Sequence, residues 1–134
     1  MGDAVAIAPW GWQRPQAERR KSDEEALARV AKQGFASPEK HGPKAPTTVK
    51  ALLGHVRAAR KRGYSVISEV FAPAMSAMSA PVVSRGVALG VVTIAGPLVR
   101  LTEERMANLG EPLLATAAEI AGLSAASSLF RRSA

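Results

Sequence analysis

The stretch from residue 64 to residue 97 constrains the fold more than any other part of the chain. It contains three runs rich in β-forming residues, at positions 64–71, 75–83 and 87–95. Short connections at residues 72–74 and 84–86 separate them. Because such short connections join antiparallel neighbours, we predict an antiparallel sheet of about three strands whose last two form a hairpin. Pro81 and Gly90 indicate an edge, a bulge or a close approach within these strands.

Two helical patterns precede the strands. Ser22 begins a capping-box pattern, and Gly34 is expected to end the helix that follows it. A second helix is expected to start at Thr47 or Thr48 and to run to residue 62. Its last turn is basic. The negative end of the helix dipole favours cations there, so these residues do not require a nucleic-acid partner to explain them.

A third helical pattern follows the strands. Thr102 resembles an N-cap, and apolar residues then recur at helical spacing as far as Leu123. Pro112 is expected to kink this helix or to divide it into two. Together the patterns predict an α+β fold, in which helices flank a small antiparallel sheet.

Composition limits the classes of function. The chain has 134 residues, which suits one domain, and no cysteine, so disulfides and thiolate metal sites are excluded. Its start lacks the pattern of a signal peptide, and the apolar run at 86–99 is too short to cross a bilayer. We therefore expect a cytoplasmic protein without membrane association, and neither a metal nor another cofactor is expected.

Four motifs follow one another in the second half of the chain. They read RGYSV at 62–66, MSAMSAPV at 75–82, GVVTIAGP at 90–97 and RLTEER at 100–105. In this order and spacing they resemble the C-terminal part of the effector-binding domain of IclR-family bacterial transcriptional regulators. The resemblance implies a partial GAF-like domain at 22–130, between an irregular arm at 1–21 and a tail at 131–134. The winged helix-turn-helix of the family has no counterpart, so direct DNA binding by this chain is not expected.

The resemblance also implies an effector site. Family members that sense small oxo-acids hold the ligand over the sheet with polar groups from three strands, at positions that correspond to Ile67, Ala77, Thr93 and Ala95 here. Of these only Thr93 carries a hydroxyl, and a carboxylate buried without donors loses roughly several kcal/mol. We therefore predict a small and rather apolar or aromatic effector, bound at these four positions and at Met75.

Other interpretations stay open from sequence alone. The five site residues could be ordinary core residues of a small sheet. The chain could also be a dimerisation scaffold that senses nothing, or a degenerate truncated paralogue. The family resemblance also implies a homo-oligomer. Catalysis is not expected, because His41 in a loop and His55 within a helix lack partners, and no residue is assigned a catalytic role. A basic cluster at 57–62 is the best feature for DNA binding, but its charges crowd one helix end.

Overall fold

Three helices and three strands make up the described part of the chain, residues 16–35 and 41–124, in a computed structural model. The elements in chain order are α1 (Gln16–Gln33), α2 (Val49–Arg62), β1 (Ser65–Ser68), β2 (Met75–Ser84), β3 (Val87–Pro97) and α3 (Glu103–Leu123). The α+β prediction is confirmed. The expected tail at 131–134 and the first fifteen residues of the expected arm lie outside the described residues.

The sheet is antiparallel with the strand order β1-β2-β3. The hairpin between β2 and β3 is confirmed, and it turns at Arg85 and Gly86, which have φ angles of 50° and 79°. Two successive positive φ angles are typical of the tight turns whose twist matches that of a hairpin. The connection from β1 to β2 starts earlier than predicted, since Glu69 has a φ of 54° and ends the strand at Ser68.

Pro81 lies in the central strand, where a proline is unexpected. However, β1 pairs only with residues 76–79 of β2, so at Pro81 the strand has β3 as its single neighbour. Proline has no backbone N–H, and it is tolerated there because no second ladder requires a donor at this position. The register also shifts between Val82 and Val83, opposite Gly90, which confirms an irregularity at this part of the hairpin.

One face of the sheet packs against α3 and forms the main core. Met78, Ala80 and Val82 of β2 lie there, and α3 contributes Met106 and Leu113. The helix begins as predicted, with Thr102 as its N-cap. It continues through Pro112 to Leu123 as one element, so the expectation that the proline could divide it is wrong.

A second, smaller core joins α1 to α2 through Leu27, Leu52 and Val56. The start and end of α2 are as predicted, with Thr48 as the N-cap and Gly63 as the C-cap at a φ of 91°. The start of α1 is not, because the helix begins at Gln16 instead of Ser22. Residues 16–21 were assigned to the irregular arm, but Gln, Ala, Glu, Arg and Lys are all favourable in a helix.

Candidate functional site

The sheet register brings the five predicted site residues to one face. Ile67 pairs with Ala77, and Ala77 pairs in turn with Ala95. Met75 and Thr93 lie two residues from these pairs along their own strands, so their side chains share the same side. This side, opposite to the one that packs on α3, is called the candidate face below.

Burial on the candidate face falls from β1 towards β3. Ile67 and Ala77 are partly buried, whereas Met75, Thr93 and Ala95 are exposed. On the β1 side of the sheet, α2 contacts this strand. None of the five is a buried core residue, and this counts against the interpretation that they simply fill a core.

A pair of hydroxyl groups is the main polar feature of this face. The Oγ of Ser79 lies 2.8 Å from the Oγ1 of Thr93 on the neighbouring strand. The Oγ of Ser65 donates to the carbonyl oxygen of Ser79 at 3.4 Å. Each hydroxyl has one proton and two lone pairs, so the pair keeps one donor and several acceptor positions after bonding to itself.

Ser79 was missing from the predicted site. Its alternation with Met75 and Ala77 already placed it on their face, but only the cross-strand register places it opposite Thr93. The strands carry no charged residue at all. The strand residues of the candidate face are therefore uncharged and include a local hydroxyl pair.

Glu69 carries a carboxylate just after β1. Its Oε2 lies 3.3 Å from the Nζ of Lys44, and its Oε1 accepts from the N–H of Ala74 at 3.4 Å. The backbone N–H of Lys44 also donates to the carbonyl oxygen of Glu69 at 2.9 Å. These contacts hold the carboxylate in a loop and indicate a structural use for it.

The loop before α2 packs closely against the same connection. Gly42 is buried and donates to the carbonyl oxygen of Val70 at 3.1 Å, and a Cβ at this position would overlap the backbone of Glu69. Its neighbour His41 is partly buried, and its Nδ1 has no hydrogen-bond partner among the described residues. The loop that the sequence predicts around His41 is thus docked on the connection after β1, and it leaves the ring partly buried.

The other candidate sites contribute little chemistry. His55 is exposed on α2. No group of three or more His, Cys, Asp or Glu residues in the described part of the chain could hold a metal ion. At the basic end of α2, the guanidinium carbon of Arg62 lies 5.7 Å from the centre of the Tyr64 ring, a local cation–π contact.

None of the helices at 16–33, 49–62 and 103–123 is long and apolar enough for a bilayer span.

Comparison with known proteins identifies related sequences and folds. The family model described as "Bacterial transcriptional regulator IclR C-terminal" matches residues 21–122. No curated protein sequence is significantly similar to the chain.

Several solved structures share the fold. The C-terminal domain of the transcriptional regulator KdgR from E. coli has a TM-score of 0.68 at 22% identity, with 89% of this chain and 66% of that one covered. The repressor BlcR from Agobacterium tumefaciens has a TM-score of 0.63 at 20% identity, with 89% and 43% covered. The inducer-binding domain of PobR from Acinetobacter, a double mutant in complex with 3-hydroxybenzoic acid, has a TM-score of 0.63 at 18% identity, with 88% and 61% covered.

The chain spans only part of each of these proteins. It covers less than half of BlcR and about two thirds of the KdgR domain. At these identities, the structural likeness establishes a shared fold.

Proposed function

Because this chain belongs to the IclR family of bacterial transcriptional regulators, whose C-terminal domain it matches over residues 21–122, we propose that it is the effector-sensing part of such a regulator. Its candidate face binds a small and rather apolar organic molecule. The chain acts in the cytoplasm as a homo-oligomer, without touching DNA itself and without catalysing a reaction.

One observation carries this proposal. Five residues from three strands, separated by up to 28 positions in the chain, lie on one neutral sheet face, and none of them is buried. Apolar surface that stays in water is unfavourable by about 25 cal/mol per Å², so a ligand that covers this face gains that free energy. The site residues in the proposal are Ile67, Met75, Ala77, Thr93 and Ala95.

The residue types on the face narrow the ligand class. An aromatic ring can pack on Ile67, Ala77 and Ala95, while a ligand hydroxyl or carbonyl group bonds to Ser79 or Thr93. A carboxylate has no cation to pair with on the strands and is disfavoured. That PobR binds 3-hydroxybenzoic acid supports an aromatic effector, and the neutral face here favours an uncharged analogue.

A thermal-shift experiment with matched ligands tests the proposal. The protein is heated with 3-hydroxybenzamide, with 3-hydroxybenzoate, or with pyruvate as a small oxo-acid. A ligand at ten times its Kd stabilises the folded state by about 1.4 kcal/mol, and a domain of this size then melts about 5 °C higher. The neutral aromatic ligand should give the largest increase. If no aromatic compound changes the Tm, the sensing function is wrong.

A dimerisation scaffold that senses nothing is the second candidate. It is favoured by the exposure of large apolar side chains on β3, with Val87 at 59% and Val91 at 45%. Such side chains on one strand are typical of a surface that meets a partner. This candidate predicts self-association without any ligand-induced change in Tm.

A further inference from the structure

The connection between β1 and β2, residues 69–74, has an unfavourable backbone at both of its ends. Glu69 and Ala74 have φ angles of 54° and 56°. This left-handed conformation is disfavoured for residues with a side chain, and it persists only where other contacts hold it. Ile67 lies two residues before the connection and Met75 directly after it. The positions of these two residues of the candidate face therefore depend on the contacts that hold residues 69–74.

Residues 41–45, called the docked loop below, supply several of these contacts. The N–H of Gly42 donates to the carbonyl oxygen of Val70 at 3.1 Å. The N–H of Lys44 donates to the carbonyl oxygen of Glu69 at 2.9 Å, and the Nζ of Lys44 lies 3.3 Å from the Oε2 of Glu69. Gly42 is buried, and a Cβ at its position would overlap the backbone of Glu69. Hydrogen bonds, an ion pair and a close backbone contact thus join the loop to the connection.

The contacts of Glu69 continue to the candidate face. Its N–H donates to the carbonyl oxygen of Met75 at 2.7 Å, while its own carbonyl oxygen accepts from Lys44. At the other end of the docked loop, Thr48 follows three residues later as the N-cap of α2. Backbone hydrogen bonds through one residue, Glu69, therefore join the candidate face to the loop that leads into α2.

We propose that docking of residues 41–45 regulates the effector site, with Glu69 as the positioning residue between them. The inference rests on the proposed function, because it concerns the affinity of the candidate face. A docked loop holds Ile67 and Met75 in place for the ligand, and a bound ligand holds the connection against which the loop packs. The two events stabilise each other, since a coupling between two equilibria is reciprocal.

A matched pair of glycine variants tests the effect of docking on affinity. Gly42→Ala prevents docking, because the new Cβ meets the backbone of Glu69, whereas nothing lies within 4 Å of the Cβ in Gly54→Ala. The Kd of 3-hydroxybenzamide is measured by titration calorimetry at a temperature where the proteins are folded. It should rise at least about fivefold in Gly42→Ala and stay unchanged in Gly54→Ala. A Gly42→Ala protein with a lower Tm but an unchanged Kd would overturn the proposal.

Lys44→Met keeps the test valid if Gly42→Ala does not fold. The side chain of Lys44 is 62% exposed, so loss of its ion pair should hardly change the Tm. The Kd of 3-hydroxybenzamide should rise by about two- to fivefold, and Lys44→Arg, which keeps the charge, should restore it. Lys50→Met removes an exposed lysine from α2 and is the control. Equal Kd values for Lys44→Met and Lys50→Met would contradict the role of Glu69.

Amide hydrogen exchange tests the coupling in the reverse direction, in the wild type. With saturating 3-hydroxybenzamide, the amides of Gly42 and Lys44 should exchange at least about fivefold more slowly. The amide of Arg105, which donates to the Oγ1 of Thr102 at the start of α3, should exchange as before. Equal slowing of all three amides would indicate general stabilisation and overturn the proposal.

The same measurements separate this inference from the proposed function. If 3-hydroxybenzamide and the other aromatic compounds leave the Tm of the wild type unchanged, the sensing function fails. If 3-hydroxybenzamide raises that Tm but binds all the variants with one Kd, sensing is supported and the coupling alone is wrong.

Discussion

The hydroxyl oxygens of Ser79 and Thr93 lie 2.8 Å apart across the ladder between β2 and β3, on the side of the sheet opposite to α3. Ser79 is 9% exposed, whereas Thr93 is exposed. The buried hydroxyl of Ser79 thus has its partner, the hydroxyl of Thr93, in the exposed part of the candidate face. The pair both stabilises the hairpin and gives the candidate face its polar group.

Thr93→Val should destabilise the protein by about 1 kcal/mol, because it keeps the shape of the side chain but leaves the hydroxyl of Ser79 without a partner. In the double variant with Ser79→Ala both partners are removed. The double variant should therefore lose less free energy of unfolding than the two single variants lose together, as measured in urea. Additive losses would mean that the two hydroxyls do not interact.

Met78→Ala should be far more damaging than Met75→Ala, because the two methionines lie on opposite faces of β2. Met78 is 0% exposed in the core against α3, and Met75 is 36% exposed. Truncation of a buried methionine costs about 2–5 kcal/mol in free energy of unfolding. Met75→Ala should cost less than about 1 kcal/mol. Equal losses would contradict the assignment of the two faces.

Gly110→Ala should destabilise the packing of α3. A Cβ at Gly110 would overlap the ring and hydroxyl of Tyr64, and an overpacked site costs about 1–3 kcal/mol. Gly122→Ala is the matched control in the same helix, because nothing lies within 4 Å of its Cβ position. That change should instead stabilise the protein by up to about 1 kcal/mol, since alanine is the better helix former. Similar effects of the two changes in thermal unfolding would refute the close contact with Tyr64.

Ala95→Trp should abolish the ligand-induced increase in Tm. Ala95 is exposed on β3 and aligned with Ala77, so the indole ring can cover the candidate face without entering the core. The apparent Kd of an aromatic ligand should rise at least tenfold. Val99→Trp adds the same ring at a position outside the sheet and should leave the Kd unchanged. Loss of binding in both variants would place the ligand elsewhere.

Sequence reasoning located the elements well, because their ends depend on neighbouring residues. Thr48 and Thr102 cap their helices as expected, each accepting from an N–H three residues later. Gly63 ends α2 in a left-handed conformation that costs glycine little. The start of α1 was misplaced, since the capping pattern at Ser22 lies inside a run of helix formers that begins at Gln16.

The candidate site was predicted only in part. The alternation of side chains and the family resemblance supplied the five residues, but neither could align one strand with the next. The pairing of Ser79 with Thr93 follows from the register, and the contact of Gly42 with Glu69 follows from the docking of a loop. Both depend on residues far apart in the chain.

The sequence by itself determined the order of helices and strands, the N-caps of α2 and α3 and the tight hairpin turn, because these follow from local hydrogen bonding and backbone sterics. Only the tertiary structure decided that α3 covers one face of the sheet and that Met75, Thr93 and Ala95 stay exposed on the other face. It also decided the strand order β1-β2-β3 among the described residues. These features arise from apolar burial and strand pairing between distant segments, which no local pattern specifies.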